Sequence, residues 1–163
     1  MLFWIELGSR RVRLAGVTAN PDCSWVTQQA RNLAVEEELD NVRFLIHDRD
    51  TKFSGPFDEI VRGEGVRVIK TPVRAPRANA VAERWVRSVR TECLDHLLIF
   101  GQRHLEQVLR GYLARYNTER PHRSLGLAAP VGHSPPADGP RPADIRRRDV
   151  LDGVIHEYYT AAA

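Results

Sequence analysis

Apolar and polar residues alternate at the start of the chain, with Val12, Leu14 and Gly16 set against Arg11 and Arg13. The β-prone runs Leu2 to Leu7 and Arg11 to Thr18 flank Gly8-Ser9-Arg10. This period of two predicts a β-hairpin. The period then lengthens. Asn20-Pro21-Asp22 interrupts the chain, Ser24 is a candidate cap, and Trp25 to Glu38 carries Val26, Ala30, Leu33 and Ala34 at helical spacing. Two short apolar runs, Val42 to Ile46 and Val66 to Ile69, predict buried strands. Between them Phe57 to Arg62 predicts a short helix ended by Gly63 and Gly65. From Ala80 to about Leu98 the spacing by four of Val81, Trp85, Val89 and Cys93 predicts a long helix, with Arg84 and Arg87 on another face. A further helix is predicted over His104 to Asn117. Ala128 to Pro142, rich in Pro, Gly and Ala, reads as a linker that need not pack, and Ile145 to Tyr159 suits a short strand or helix.

A hairpin followed by strands that alternate with helices implies an α/β domain with a mixed sheet. In such sheets functional residues gather at strand ends, which points to His47-Asp48-Arg49-Asp50. The chain of 163 residues holds one ordinary domain and a tail. No apolar run approaches the roughly 18 to 20 residues of a membrane helix, so a cytoplasmic protein is expected. Its two cysteines, Cys23 and Cys93, are too few for a disulfide framework and are expected to be reduced. The net charge of +3 says little, but its distribution says more: Arg62 to Arg123 holds 13 Lys and Arg against 6 Asp and Glu. An anionic partner would meet that stretch. Of the basic residues only Lys52 and Lys70 are lysine, which suits bidentate phosphate contacts and equally reflects a codon bias toward arginine.

An Asp that ends a buried strand, followed by turn chemistry at Asp50-Thr51, is placed to hold Mg²⁺ or Mn²⁺, whose hard character prefers carboxylate oxygen. An isolated Asp there more often only shapes the turn. Glu83, 35 positions after Asp48, sits in the first turn of the long predicted helix, where a Glu also interacts with the helix dipole without further role. What raises the weight of both is their company. Arg74-Ala75-Pro76-Arg77-Ala78-Asn79-Ala80-Val81-Ala82-Glu83-Arg84-Trp85 surrounds Glu83, and Tyr116-Asn117-x-x-Arg120-Pro121-His122-x-Ser124-Leu125-Gly126 follows.

With these motifs in order, the stretch from Phe44 to Gly126 resembles the catalytic core of DDE transposases and retroviral-type integrases, above all bacterial insertion-sequence transposases. Asp48-Arg49-Asp50-Thr51-Lys52-Phe53 is similar to the family's first motif, with Asp50 where Gly is usual. Asn79 to Glu83 and Tyr116 to Gly126 are similar to the other two. Ile5-Glu6-x-x-Ser9-Arg10-Arg11-Val12 resembles the family's second strand and turn. The resemblance implies a ribonuclease H-like mixed sheet flanked by helices, with a catalytic core over residues 1–117 and a C-terminal extension over 118–163. It implies DNA cleavage and strand transfer with two Mg²⁺ or Mn²⁺ ions, Asp48 and Glu83 being both catalytic and metal-binding. It also places the family's first catalytic Asp upstream of Met1, so the chain is expected to lack the first strand and to be impaired, or to be a remnant that only binds DNA or a full-length partner. Lys70, Arg74, Arg77, Arg84 and Arg87 are the expected DNA contacts, and Trp85 is expected in the core. Arg120, His122 and Arg123 suit either DNA contact or bracing of the helices. The partners implied are DNA and further copies of the chain, with no membrane; on DNA the protein would be nucleoid-associated.

Overall fold

The computed structural model describes residues 1–53, 55–73, 79–132, 145–151 and 153–160. It is mixed α/β, and among the described residues the strands form three two-stranded sheets. The first two strands, β1 (Leu2–Ile5) and β2 (Val12–Gly16), make the predicted hairpin. Its turn is closed by Arg10 N–H to the Glu6 carbonyl at 2.8 Å and by Ser9 Oγ on the Glu6 carboxylate at 2.7 Å. Helix α1 spans Cys23–Val35, followed by β3 (Phe44–His47), α2 (Gly55–Gly63), β4 (Arg67–Lys70), α3 (Ala80–Glu92) and α4 (Gln102–Thr118). Strands β5 (Ile145–Val150) and β6 (Ile155–Thr160) close the described chain as an antiparallel hairpin. No helix among the described residues is long and apolar enough to cross a membrane.

The chain divides into two compact units. One comprises Met1–Phe3 and Ala15–Arg84, the other Trp4–Leu14 and Trp85–Ala163. In the first, α2 packs on both α1 and β4, and Val26, Ala30, Leu33, Phe57, Val61 and Val66 are buried. Asp22, not Ser24, caps α1, its Oδ1 accepting the Trp25 N–H at 2.7 Å. Gly16 lets β2 approach α1, since a Cβ there would sit 3.1 Å from the Trp25 ring. Strands β3 and β4 pair in parallel, with Phe44 opposite Arg67 and His47 opposite Lys70. The period of two is plain in β3, where Leu45 and His47 are buried while Phe44 and Ile46 face out.

In the second unit α3 and α4 bury Trp85, Val89, Leu109, Tyr112 and Tyr116. Trp85 is core, as expected. Helix α3 is shorter than predicted. Cys93 leaves helical geometry (φ −140°, ψ −68°) and a 3₁₀ turn follows at Leu94–His96, although Cys93 itself stays on the buried face. Burial pushes the Cys93 thiol up to about 11, which makes it inert rather than nucleophilic. The start of the expected linker packs: Val131 N–H bonds the Asn117 carbonyl at 2.8 Å, and a Cβ on Gly132 would run into the Thr118 carbonyl oxygen. The rest of that stretch, from residue 133 to 144, lies outside the described residues.

Candidate active site

Asp48 follows directly on β3 and is partly buried. Its Oδ1 accepts the Asp50 N–H at 3.1 Å, the Asx turn that stops the strand. Asp50, where the resembling family has Gly, repeats the device: its Oδ1 accepts the Lys52 N–H at 3.0 Å and its Oδ2 meets the Lys52 ammonium at 2.5 Å. Those bonds from Lys52 hold the Asp50 carboxyl below the usual range. Arg49 ties the loop across to the end of β4 by donating from Nε to the Thr71 carbonyl at 3.0 Å, while Thr71 N–H bonds the His47 carbonyl at 2.9 Å. The backbone carrying Asp48 is therefore fixed from both sides, with one carboxylate oxygen engaged by backbone.

Behind this turn lies a charge cluster. Asp58 of α2 is only 3% exposed and receives His47 Nε2 and Lys70 Nζ at 3.0 Å each, and Arg62 at 3.3 Å. Burial pushes the Asp58 carboxyl up, but the bonds from Lys70 and His47 outweigh it and leave the group below its ordinary value. The other ring nitrogen of His47 lies 2.6 Å from the Asp48 carbonyl. Both ring nitrogens thus lie within hydrogen-bonding distance of oxygen atoms. Phe53 and Phe57 enclose the imidazole, with ring centroids at 4.7 and 5.6 Å. His47 is thus a buried link between turn and helix. Lys70, an expected DNA contact, has its ammonium on Asp58 while 42% of its side chain stays exposed.

Glu83 lies in the first turn of α3 and is exposed. It belongs to the same compact unit as Asp48. Arg84 and Arg87 are exposed on α3, whereas Arg74 and Arg77 lie outside the described residues. Among the described residues no group of three or more His, Cys, Asp or Glu side chains is gathered to hold a metal. The donor chemistry nevertheless fits a hard divalent cation, because Mg²⁺ commonly takes one or two carboxylates and completes its shell with water and substrate phosphate oxygens.

The Tyr-Asn-x-x-Arg-Pro-His run builds a brace in the second unit. The Asn117 amide bonds the Val12 backbone in both directions, accepting its N–H at 2.9 Å and donating to its carbonyl at 2.8 Å. Arg120 donates to both oxygens of Glu92 at 2.5 to 3.2 Å, and the Tyr112 hydroxyl donates to the same carboxylate at 2.8 Å. Burial raises Glu92, yet Arg120 and Tyr112 prevail and hold it below the usual range. Burial together with the Glu92 bond lifts the Tyr112 phenol well above its ordinary value. Tyr116 carries the Arg120 guanidinium 5.5 Å over its ring and His122 edge-on at 4.8 Å. Burial, reinforced by the Arg120 charge, lowers His122. Of the alternatives left open by the sequence, Arg120 and His122 brace the helices, and Arg123 is exposed. Glu92 and Asp58 escaped sequence reasoning. Each is a helical carboxylate whose partners come from distant positions, so no local spacing announces it.

Residues 64–130 match the family model described as an integrase core domain. The matched segment takes in β4, Glu83 at the start of α3, all of α4 and the brace; Asp48 lies ahead of it. No curated protein and no solved structure matches the chain.

Proposed function

We propose, from the premise that residues 64–130 carry an integrase core domain of the DDE transposase and integrase type, that this chain acts in metal-dependent cleavage and joining of DNA strands. Such domains serve DNA integration and transposition, and in general they use divalent metals. In this reading β3 and β4 are neighbouring strands of a ribonuclease H-like sheet, and Asp48 and Glu83 are the carboxylates of its site. A bound Mg²⁺ or Mn²⁺ would neutralise phosphate charge and acidify the attacking water or 3′-hydroxyl. Asp48, with Oδ1 fixed by the Asp50 N–H, would hold the ion from the strand end. Glu83 would hold it from the first turn of α3. Arg84 and Arg87, exposed one and four residues further on, would take the DNA phosphates, with Arg74 and Arg77 before the helix and the remaining exposed part of Lys70. Assembly of several copies on DNA belongs to the same reading.

The observation that carries it is the coincidence of two facts. Glu83, in the first turn of α3, lies inside the matched segment, and Asp48 is held at a strand end in the same compact unit as Glu83. The test is nicking of supercoiled plasmid DNA in Mn²⁺ by the full chain. Weak nicking that disappears in both Asp48→Ala and Glu83→Ala supports the proposal, and nicking that survives either change removes these residues from the site. DNA binding without nicking in any metal favours the second reading, a non-catalytic remnant.

A further inference from the structure

We infer that Asp58 is a positioning residue of the proposed cation site: acting through His47, it fixes the turn from which Asp48 would hold the ion. Asp48 takes its role here from the function proposed above. Both oxygens of the buried Asp58 carboxylate are engaged, Oδ1 facing His47 Nε2 at 3.0 Å and Oδ2 meeting Lys70 Nζ at 3.0 Å and Arg62 at 3.3 Å. So occupied, Asp58 supports another residue rather than binding an ion itself. The supported residue lies across the His47 ring, whose Nδ1 is 2.6 Å from the Asp48 carbonyl. One imidazole thus spans from a helix carboxylate to the backbone of Asp48. Phe53 and Phe57 pack on that ring, with centroids at 4.7 and 5.6 Å, so its plane is set by packing as well as by polar contacts. His47 is paired with Lys70 in the β3–β4 register, and the same pairing brings the Lys70 ammonium to Oδ2.

Helix α2 is a firm origin for such a tether. Its Phe57 and Val61 are fully buried, and the helix packs on both α1 and β4. All of these side chains belong to the unit that contains Ala15–Arg84. The bond from the Asp50 N–H to Asp48 Oδ1 fixes the carboxylate against its own turn, but it does not fix the turn against the rest of the unit. Arg49 does so toward the end of β4, through the Thr71 carbonyl, and His47 does so toward α2. A buried charged cluster adds little stability over apolar packing of the same volume, whereas its directional bonds hold one geometry. Groups that orient a metal ligand from behind typically change metal affinity by about 10- to 100-fold when removed.

Two measurements on the full chain test it: hydrogen–deuterium exchange of residues 48–53 without metal, and Mn²⁺ affinity by water-proton relaxation. In Asp58→Ala the turn should exchange at least tenfold faster and Mn²⁺ affinity should fall about tenfold. His47→Phe keeps a ring between Phe53 and Phe57 but has no nitrogen, and it should produce the same two changes. Asp58→Asn still offers His47 Nε2 a hydrogen-bonding partner, and it should stay within about threefold of wild type in both. Val61→Ala weakens the packing of α2 without touching the tether, so it should lower overall stability and leave both readings near wild type. Unchanged exchange in both Asp58→Ala and His47→Phe, Mn²⁺ affinity that both retain, or equal effects in Val61→Ala would each overturn the proposal. A wild-type chain that binds no Mn²⁺, yet whose turn loosens in Asp58→Ala and His47→Phe alone, would support the tether and remove the cation reading of Asp48.

Discussion

Replacing Arg120 with alanine removes the cation bonded to Glu92 and leaves Tyr112 as the only hydrogen-bonding partner of Glu92 among the described residues. Arg120 makes three donor contacts to Glu92 at 2.5 to 3.2 Å, and the two side chains are 27 and 32% exposed. A hydrogen bond to a charged group contributes about 1.5 to 3 kcal/mol, and breaking a fully buried ion pair costs about 3 to 5 kcal/mol. Partial exposure places this pair at the lower end, because solvent screens it. Loss of the guanidinium from the Tyr116 ring adds about 0.5 kcal/mol. The expected destabilisation of Arg120→Ala is therefore about 2 to 3 kcal/mol, read as a shift in the urea midpoint monitored by circular dichroism. The sign with pH follows from Glu92. Its folded-state carboxyl lies below the ordinary value of 4.5, so the pair's contribution is complete above that value and fades as pH falls through the lower folded range. The gap between wild type and Arg120→Ala should accordingly be widest near neutrality and close in acid. A variant within about 0.5 kcal/mol of wild type, the range of an ordinary surface change, or a gap that does not change with pH, would refute the brace.

Asp58→Ala should cost about 3 kcal/mol in the same assay, since it leaves His47 buried and frees Lys70 and Arg62. A cost below about 1 kcal/mol would show that the cluster does not stabilise the turn behind Asp48. Asp22→Ala should destabilise by about 1 kcal/mol through loss of the α1 cap, and Ser24→Ala by only a few tenths. The reverse order would return the cap to Ser24.

The elements were largely legible because their signal is local. Alternation gave the hairpin, four-residue spacing gave α3 and α4, and apolar runs gave β3 and β4. The end of α3 was not legible, because Val81, Trp85, Val89 and Cys93 continue the helical spacing through the point where Cys93 leaves the helix. The α1 cap was misplaced because Asp22 and Ser24 are both capping residues two positions apart, and only geometry chooses between them. The C-terminal hairpin had a usable signal in Asp152-Gly153, a hairpin-turn dipeptide between two runs. Asp48 and Glu83 stood out through the motifs around them and the family these resemble, because a strand-end Asp or a first-turn Glu alone more often has only a structural role. The roles of Arg120 and His122 needed tertiary structure: Arg120 meets a carboxylate 28 residues earlier, and His122 packs against a tyrosine ring.

Mn²⁺ binding to the full chain tests, without relying on catalysis, the proposal that Asp48 and Glu83 serve one divalent cation. Titration of Mn²⁺ followed by water-proton relaxation should show a weak site whose affinity falls at least tenfold in Asp48→Ala and also in Glu83→Ala, with little change in Glu92→Ala. Wild-type binding that either of the first two variants retains in full would contradict the account.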